Sequence, residues 1–140
     1  RSTRYHVVAS PAFAERYAPS RPVDLERMPA LVFPLPGFRS RWVFRSRAGK
    51  TTEVHVQGRV QTSSSIALRD LARRGVGTAL LGDWLVEGDL ARGDLVDLFP
   101  RYDVTATEFE TAAWLLYPSR RFLPAKTRAV IDFLRERLGR

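Results

Sequence analysis

The stretch EVHVQGRVQTSSSIALRDLARRGVGTALLGDW, residues 53–84, decides the fold class of this chain. It begins with an alternating run that is typical of a strand and continues, after three serines, into an amphipathic helical pattern. Gly75 is placed to end that helix in a left-handed conformation, and residues 76–81 then have the composition of a fully buried strand. A strand, a helix and a buried strand in succession indicate an α/β fold.

The same alternation extends to both sides of this stretch. The predicted strands are 5–9, 31–33, a hairpin of 42–47 and 52–61, 76–81, 95–99 and 112–117. The predicted helices are 11–17, a short one entered at 21–25, 64–74, 84–91 and 124–138. Because strands and helices alternate along the chain, we expect an α/β domain with a mainly parallel sheet.

Composition limits the possible functions. The chain has 140 residues, enough for one ordinary domain, and no cysteine, which excludes disulfides and thiolate metal sites and favours a cytoplasmic protein. No apolar run is long enough to cross a membrane. The net charge is +8, but the basic residues are scattered, and no basic run is interleaved with aromatic residues as in a nucleic-acid-binding groove. We therefore expect no membrane partner and no direct DNA binding.

The hydroxyl residues Thr62, Ser63 and Ser64 stand where a strand passes into a helix. One serine could cap the helix while the others face solvent. Alternatively, the unpaired N–H groups and partial positive charge of the helix terminus, together with these hydroxyls, could hold a carboxylate or another anion. The position supports the second hypothesis, because ligands of open α/β sheets bind outside the carboxyl ends of the strands.

An enzymatic function is disfavoured. A serine nucleophile needs a base within hydrogen-bond reach, and the two histidines, His6 and His55, lie in no recognisable catalytic motif. His55 alternates with Val54 and Val56 and is expected on a solvated strand face. Two histidines without cysteines or a carboxylate cluster make no metal site. We therefore predict a protein without catalytic residues, metal or cofactor.

Five segments in this order resemble the effector-binding domain of LysR-type transcriptional regulators. They are distributed over nearly the whole chain, from residue 7 to residue 138: VVASPAF (7–13), RPVDL (21–25), GRVQTSSSIALRDLARRGVGTALLGDWLV (58–86), DLARGDLVDLFP (89–100) and ETAAWLLYPSRRFLPAKTRAVIDFLRERL (110–138). The resemblance implies a periplasmic-binding-protein-like (type II) fold, whose subdomains are three-layer αβα units. Residues 1–10 would then be a first crossing strand and 11–108 the second effector subdomain. Residues 109–140 would be the return crossing strand and the C-terminal helix of the first subdomain.

The resemblance also implies a function and a site. A small effector, often a carboxylate, would bind in a cleft between two subdomains and modulate transcription. The chain would contact DNA only through a helix-turn-helix outside this sequence, and it would form homo-oligomers. The family's effector contacts fall on the loop at Thr62, Ser63 and Ser64, so ligand contact becomes the preferred interpretation of these hydroxyls. Phe33 and Leu35, before a proline-rich loop, are expected to line the cleft, with packing in the core as the alternative for Phe33.

Two other functions remain as alternatives. One is a solute-binding protein or another ligand-binding module, and the other is a nucleic-acid-binding domain.

The core is expected to contain Trp42, Trp84 and Trp114. Asp83 is expected to cap the helix that begins at Trp84.

Overall fold

The computed structural model describes residues 3–109, 116 and 123–138. It divides into two compact units, one of Arg4–Phe109 and one of Arg1–Thr3 with Glu110–Arg140. The helix of the second unit is α4 (Ala125–Leu138), close to the predicted range. The elements of the first unit are β1 (Tyr5–Ala9), α1 (Pro11–Tyr17), a 3₁₀ helix (Pro22–Arg27), β2 (Pro29–Val32), β3 (Arg41–Ser46), β4 (Thr51–His55), β5 (Gln57–Gln61), α2 (Ser65–Arg73), β6 (Thr78–Gly82), α3 (Asp83–Arg92), β7 (Val96–Asp97) and β8 (Tyr102–Thr105).

The strands of the first unit form one mixed sheet. The described strands lie in the order β4-β3-β8-β1-β6-β2-β5, with β7 beside β1. Strand β2 is parallel to β5 and β6, whereas β1 is antiparallel to β6, β7 and β8, and β3 is antiparallel to β4 and β8. The α/β class is confirmed, but the prediction of a mainly parallel sheet is wrong. A tight turn joins β3 to β4, and strands connected by so short a turn must run antiparallel.

Local sequence signals place the helix ends. The Ser10 hydroxyl accepts a hydrogen bond from the Phe13 amide at 3.2 Å, and Pro11 occupies the first helical position of α1. Gly75 follows α2 with φ 73°, and Gly93 follows α3 with φ 76°. Both glycines therefore adopt the left-handed conformation predicted for helix ends.

The core has two parts, one on each face of the sheet. Alternate residues of a strand point to opposite faces, so Val7 belongs to one part and its neighbour Val8 to the other. The 3₁₀ helix and α1 cover the first face with Leu25 and Phe13. Helices α2 and α3 cover the second face; their core residues are Leu68, Ala72 and Val86. Helical layers on both faces give the expected three-layer arrangement.

Three strand boundaries differ from the prediction. The second arm of the hairpin ends at His55, and residues 57–61 form a separate strand beside β2. Gly58 makes this pairing close, since a Cβ added there would lie 2.6 Å from Val32 Cγ2. The predicted strand 95–99 shortens to Val96–Asp97, because the Asp97 carboxylate accepts from the Phe99 amide at 2.9 Å and turns the chain. Strand β8 was not predicted at all.

The tryptophans follow the prediction only in part. Trp42 is fully buried, as expected, but Trp84 is 64% exposed, so its assignment to the core is wrong. Its indole lies across Gly82, which has no side chain to displace it. Asp83 is the first residue of α3 rather than its N-cap, which is Gly82; the Asp83 carboxylate accepts from the adjacent Trp84 amide at 2.7 Å. The proposed return strand at 112–117, with Trp114, lies outside the described residues except for residue 116.

Candidate functional site

Two of the predicted hydroxyl residues organise the start of α2. Ser64 is the N-cap, and its hydroxyl accepts a hydrogen bond from the Ala67 amide at 3.2 Å. The Thr62 hydroxyl accepts from the Ser64 amide at 3.2 Å. In addition, the Thr62 amide donates to the Val32 carbonyl at 3.2 Å, which ties the loop to the end of β2. The capping hypothesis therefore holds for Ser64, while each hydroxyl keeps its own proton free to donate.

The helix terminus also keeps unused donors. Within the described part of the chain, the backbone amides of Ser65 and Ile66 have no acceptor, and the exposed Ser63 side chain has no hydrogen-bond partner. The first N–H groups of a helix point outward along its axis and carry a partial positive charge. This end of α2 can therefore hold an anion through two amides and a hydroxyl.

A pocket of about 310 Å³ lies beside this helix terminus. Its walls are mainly apolar, and Ser65 is the residue of α2's first turn that reaches it. The lining residues are Tyr5, Phe33, Leu35, Phe38, Ser65, Leu68, Leu80, Leu81, Gly82, Trp84 and Leu85. The structure thus brings Phe33 and Leu35 to the pocket, whereas Thr62, Ser63 and Ser64 stand next to the lining without forming part of it.

The sheet explains why these residues meet. Strands β2 and β6 are parallel neighbours, so their carboxyl ends lie at the same edge. Phe33 directly follows β2, and Gly82 is the last residue of β6. Helix α2 begins after the carboxyl end of β5, the other parallel neighbour of β2. The pocket therefore occupies the position where open α/β sheets bind ligands.

Aromatic rings line part of the pocket. Phe38 packs edge-on against Tyr5, with ring centroids 5.6 Å apart, and against Phe33 at 6.5 Å. Burial raises the pKa of the Tyr5 phenol, so that this group stays neutral and can donate a hydrogen bond. Such a wall suits the apolar or aromatic body of a small ligand.

Sequence reasoning missed Tyr5, Phe38, Trp84 and Leu85 as pocket residues. Tyr5 was placed in a buried strand and Trp84 in the core. Phe38 lies in the loop between β2 and β3, where no periodic pattern exists. The one available signal was Gly82, a glycine at the end of a buried strand, which often marks a place where another group approaches the backbone closely.

The described residues form no catalytic or metal constellation. His6 pairs with Asp97, with Nδ1 and Oδ2 2.8 Å apart, and the exposed His55 lies 3.4 Å from Glu53, so both histidines have carboxylate partners rather than a serine. No group of three or more His, Cys, Asp or Glu residues in the described ranges could hold a metal ion. Among the described helices none has both the length and the apolar character that crossing a bilayer requires.

Comparison with known proteins gives a consistent result. A family model described as the LysR substrate binding domain matches residues 1–139. The chain is 35% identical over 99 residues to the HTH-type transcriptional regulator PtxR of Pseudomonas aeruginosa, covering 71% of this chain and 30% of PtxR. It is 30% identical over 138 residues to the HTH-type transcriptional regulator CrgA of Neisseria meningitidis serogroup C, covering 98% of this chain and 44% of CrgA.

A solved structure agrees with these sequence relatives. The regulatory domain of CrgA from Neisseria meningitidis superposes with a TM-score of 0.75 at 26% identity, covering 99% of this chain and 66% of that one. The chain spans less than half the length of PtxR and of CrgA.

Proposed function

This chain belongs to the LysR substrate binding domain family, the effector-binding domains of LysR-type transcriptional regulators, and we propose that it senses a small anionic ligand, most simply a carboxylate. Its relatives are transcriptional regulators rather than enzymes. The proposed ligand places its acidic group at the start of α2, and its apolar body in the pocket between Phe33, Phe38 and Trp84. One observation carries the proposal: the free amides of Ser65 and Ile66 lie beside an apolar pocket of ligand size.

The proposed contacts divide into two groups. Ser63, together with the Thr62 and Ser64 hydroxyl protons, adds donors around the acidic group. Phe33 and Leu35, the latter 53% exposed, contact the apolar body. In the free protein Ser63 and Leu35 face solvent, and a bound anion would satisfy the hydroxyl donors without any change in the fold.

We further propose the mechanism and organisation that the family resemblance implies. Residues 11–108 form the second effector subdomain, 1–10 the first crossing strand, and 109–140 the return strand with the C-terminal helix. The ligand lies in the cleft between two subdomains and favours one interdomain arrangement by binding it more tightly. In the whole regulator, acting in the cytoplasm as a homo-oligomer, this bias reaches DNA through a helix-turn-helix.

A matched pair of substitutions tests the anion site. Ser65→Pro removes one helix N–H at the first helical position, where proline is tolerated, together with the hydroxyl; Ser65→Ala removes only the hydroxyl. In the regulator that carries this chain, small aromatic and aliphatic carboxylates are titrated by calorimetry alongside their neutral amides. We expect carboxylates to bind and amides not to bind. Affinity should fall about five-fold more in Ser65→Pro than in Ser65→Ala, equivalent to one lost hydrogen bond of about 1 kcal/mol.

The alternative outcomes are distinct. Equal binding of acids and amides would show that α2 contributes no anion site. Equal affinities in the two variants would exclude the backbone amide as a ligand contact. Ser40→Ala, at an exposed loop serine outside the pocket lining, is the control and should bind like the unaltered protein.

A further inference from the structure

Four arginines from three separate parts of the sequence line one groove of the first unit. Arg16 lies in the last turn of α1, Arg59 lies on β5, and Arg73 and Arg74 are the last residue and the C-cap of α2. The groove has a volume of about 560 Å³, and the described residues that line it include these arginines and no acidic residue. The tertiary structure therefore concentrates charge that the sequence showed only as scattered arginines.

Three of these arginines lack a carboxylate partner in the part of the chain that the structure describes. Among the residues that the structure describes, Arg16, Arg59 and Arg74 form no ion pair, and the Arg16 guanidinium lies 5.5 Å from the centroid of the Tyr17 ring. Arg73 is shared with Asp89 and Asp94, at 3.5 and 3.4 Å. Interaction with helix dipoles explains why arginine suits the last turns of α1 and α2, but it does not explain Arg59 on a strand.

The groove lies at the opposite end of the sheet from the proposed ligand pocket. Pro29, the first residue of β2, and Val76, which precedes β6, both line the groove. Phe33 and Gly82, at the other ends of the same strands, line the pocket. A partner in the groove and a ligand in the pocket can therefore bind at the same time.

We propose that this groove binds the sugar-phosphate backbone of duplex DNA without reading its sequence. Guanidinium groups are planar donors that match phosphate oxygens, and several in one open groove can follow successive phosphates. The net charge of +8 attracts a polyanion from a distance. The choice of DNA as the polyanion rests on the proposed function, in which the whole regulator acts on DNA. The prediction of no direct DNA binding would then be narrowed to a prediction of no sequence-specific DNA binding.

The test compares two triple variants with the same net charge. The groove variant is Arg16→Gln with Arg59→Gln and Arg74→Gln. The control is Arg27→Gln with Arg39→Gln and Arg47→Gln, three exposed arginines outside the groove. Binding of the 140-residue chain to a random-sequence duplex is measured by fluorescence anisotropy at several salt concentrations. Circular dichroism checks that each variant is folded.

We expect the groove variant to reduce the slope of log affinity against log salt by about 2.7, since each lost phosphate contact removes about 0.9. The control should change the slope by less than one contact. Arg59→Gln alone should reduce it by about 0.9 and tests the proposal if the triple variant is unstable. Equal changes in the two triple variants would overturn the proposal and assign any binding to net charge. The proposal would also be overturned if the chain bound no duplex at low salt, or if it bound poly-glutamate but not DNA. The carboxylate titrations at Ser65 report on the pocket independently of these results.

Discussion

The Ser64 hydroxyl accepts a hydrogen bond of 3.2 Å from the Ala67 amide, which makes Ser64 the N-cap of α2. Ser63, one position earlier, has no such bond within the described residues and is exposed. Adjacent serines of the same chemistry therefore have different surroundings. Ser64 is tied to helix stability, and Ser63 is available for a ligand.

Replacing Ser63 and Ser64 singly by alanine should have different effects on stability and on ligand binding. Ser64→Ala should lower the free energy of unfolding by about 1 kcal/mol, the usual effect of losing a serine N-cap. Ser63→Ala should leave it unchanged within about 0.5 kcal/mol, as for other exposed positions, and weaken carboxylate binding instead. Urea unfolding followed by circular dichroism measures both variants. Equal destabilisation by the two substitutions would contradict the capping assignment.

Gly82→Ala should disturb the pocket more than the fold. A Cβ at this position would lie 2.6 Å from Trp84 Nε1, so the indole must move. The ring is 64% exposed and can shift at little cost in stability, and the backbone φ of −70° accepts alanine. We expect a small change in melting temperature, altered Trp84 fluorescence and weaker ligand binding. A large loss of stability with unaltered emission would show that the indole is fixed in place.

We expect Asp89 to be the carboxylate that contributes most to the stability of the fold. It is 2% exposed and lies 2.8 Å from Arg92, 3.5 Å from Arg73 and 3.7 Å from Arg69. Asp89→Asn should lower the free energy of unfolding by about 1.5–3 kcal/mol, because the buried carboxylate loses its charge-assisted hydrogen bond with the partly exposed Arg92. Asp103→Asn, which breaks an exposed pair with Arg45, is the matched control and should cost less than about 1 kcal/mol. Similar losses in both variants would contradict the importance of burial.

Asp24 should give the chain an acid-dependent contribution to stability. Hydrogen bonds from the Arg21 and Ser20 amides lower the pKa of the Asp24 carboxyl below its ordinary value of 3.8. A group whose pKa is lower in the folded state stabilises the protein above the unfolded pKa and loses this effect as pH falls through the folded value. The stability difference between the unaltered chain and Asp24→Asn should thus be constant above about pH 5 and shrink below about pH 4. Urea unfolding at several pH values measures it, and a difference independent of pH would contradict the assignment.

Helix α4 should take part in self-association. Val130 and Phe133 are 57% and 54% exposed on this helix. Large exposed apolar groups tend to find a partner, and we expect a second copy to provide it. Val130→Ser with Phe133→Ser should shift the chain toward the monomer in light scattering. Val23→Ser, an exposed valine of the first unit, is the control and should not change the association state.

The sequence by itself determined the local structure wherever a residue's own chemistry acts over a few positions. Ser10 with Pro11 starts α1, and Gly75 and Gly93 end α2 and α3, because hydroxyl acceptance and positive φ are properties of single residues. The ordered motifs also determined the family, which the match to the LysR substrate binding domain confirms.

Tertiary structure alone decided how these elements combine. Alternating apolar residues predict a strand but not its neighbour, so the antiparallel pairing of β1 with β6 and the separate position of β5 could not be predicted. Phe38 and Trp84 reach the pocket only because the loop after β2 and the start of α3 meet at the same sheet edge. Arg59 meets Arg16 and Arg74 for the same reason: residues distant in sequence become neighbours only through packing, which no local pattern records.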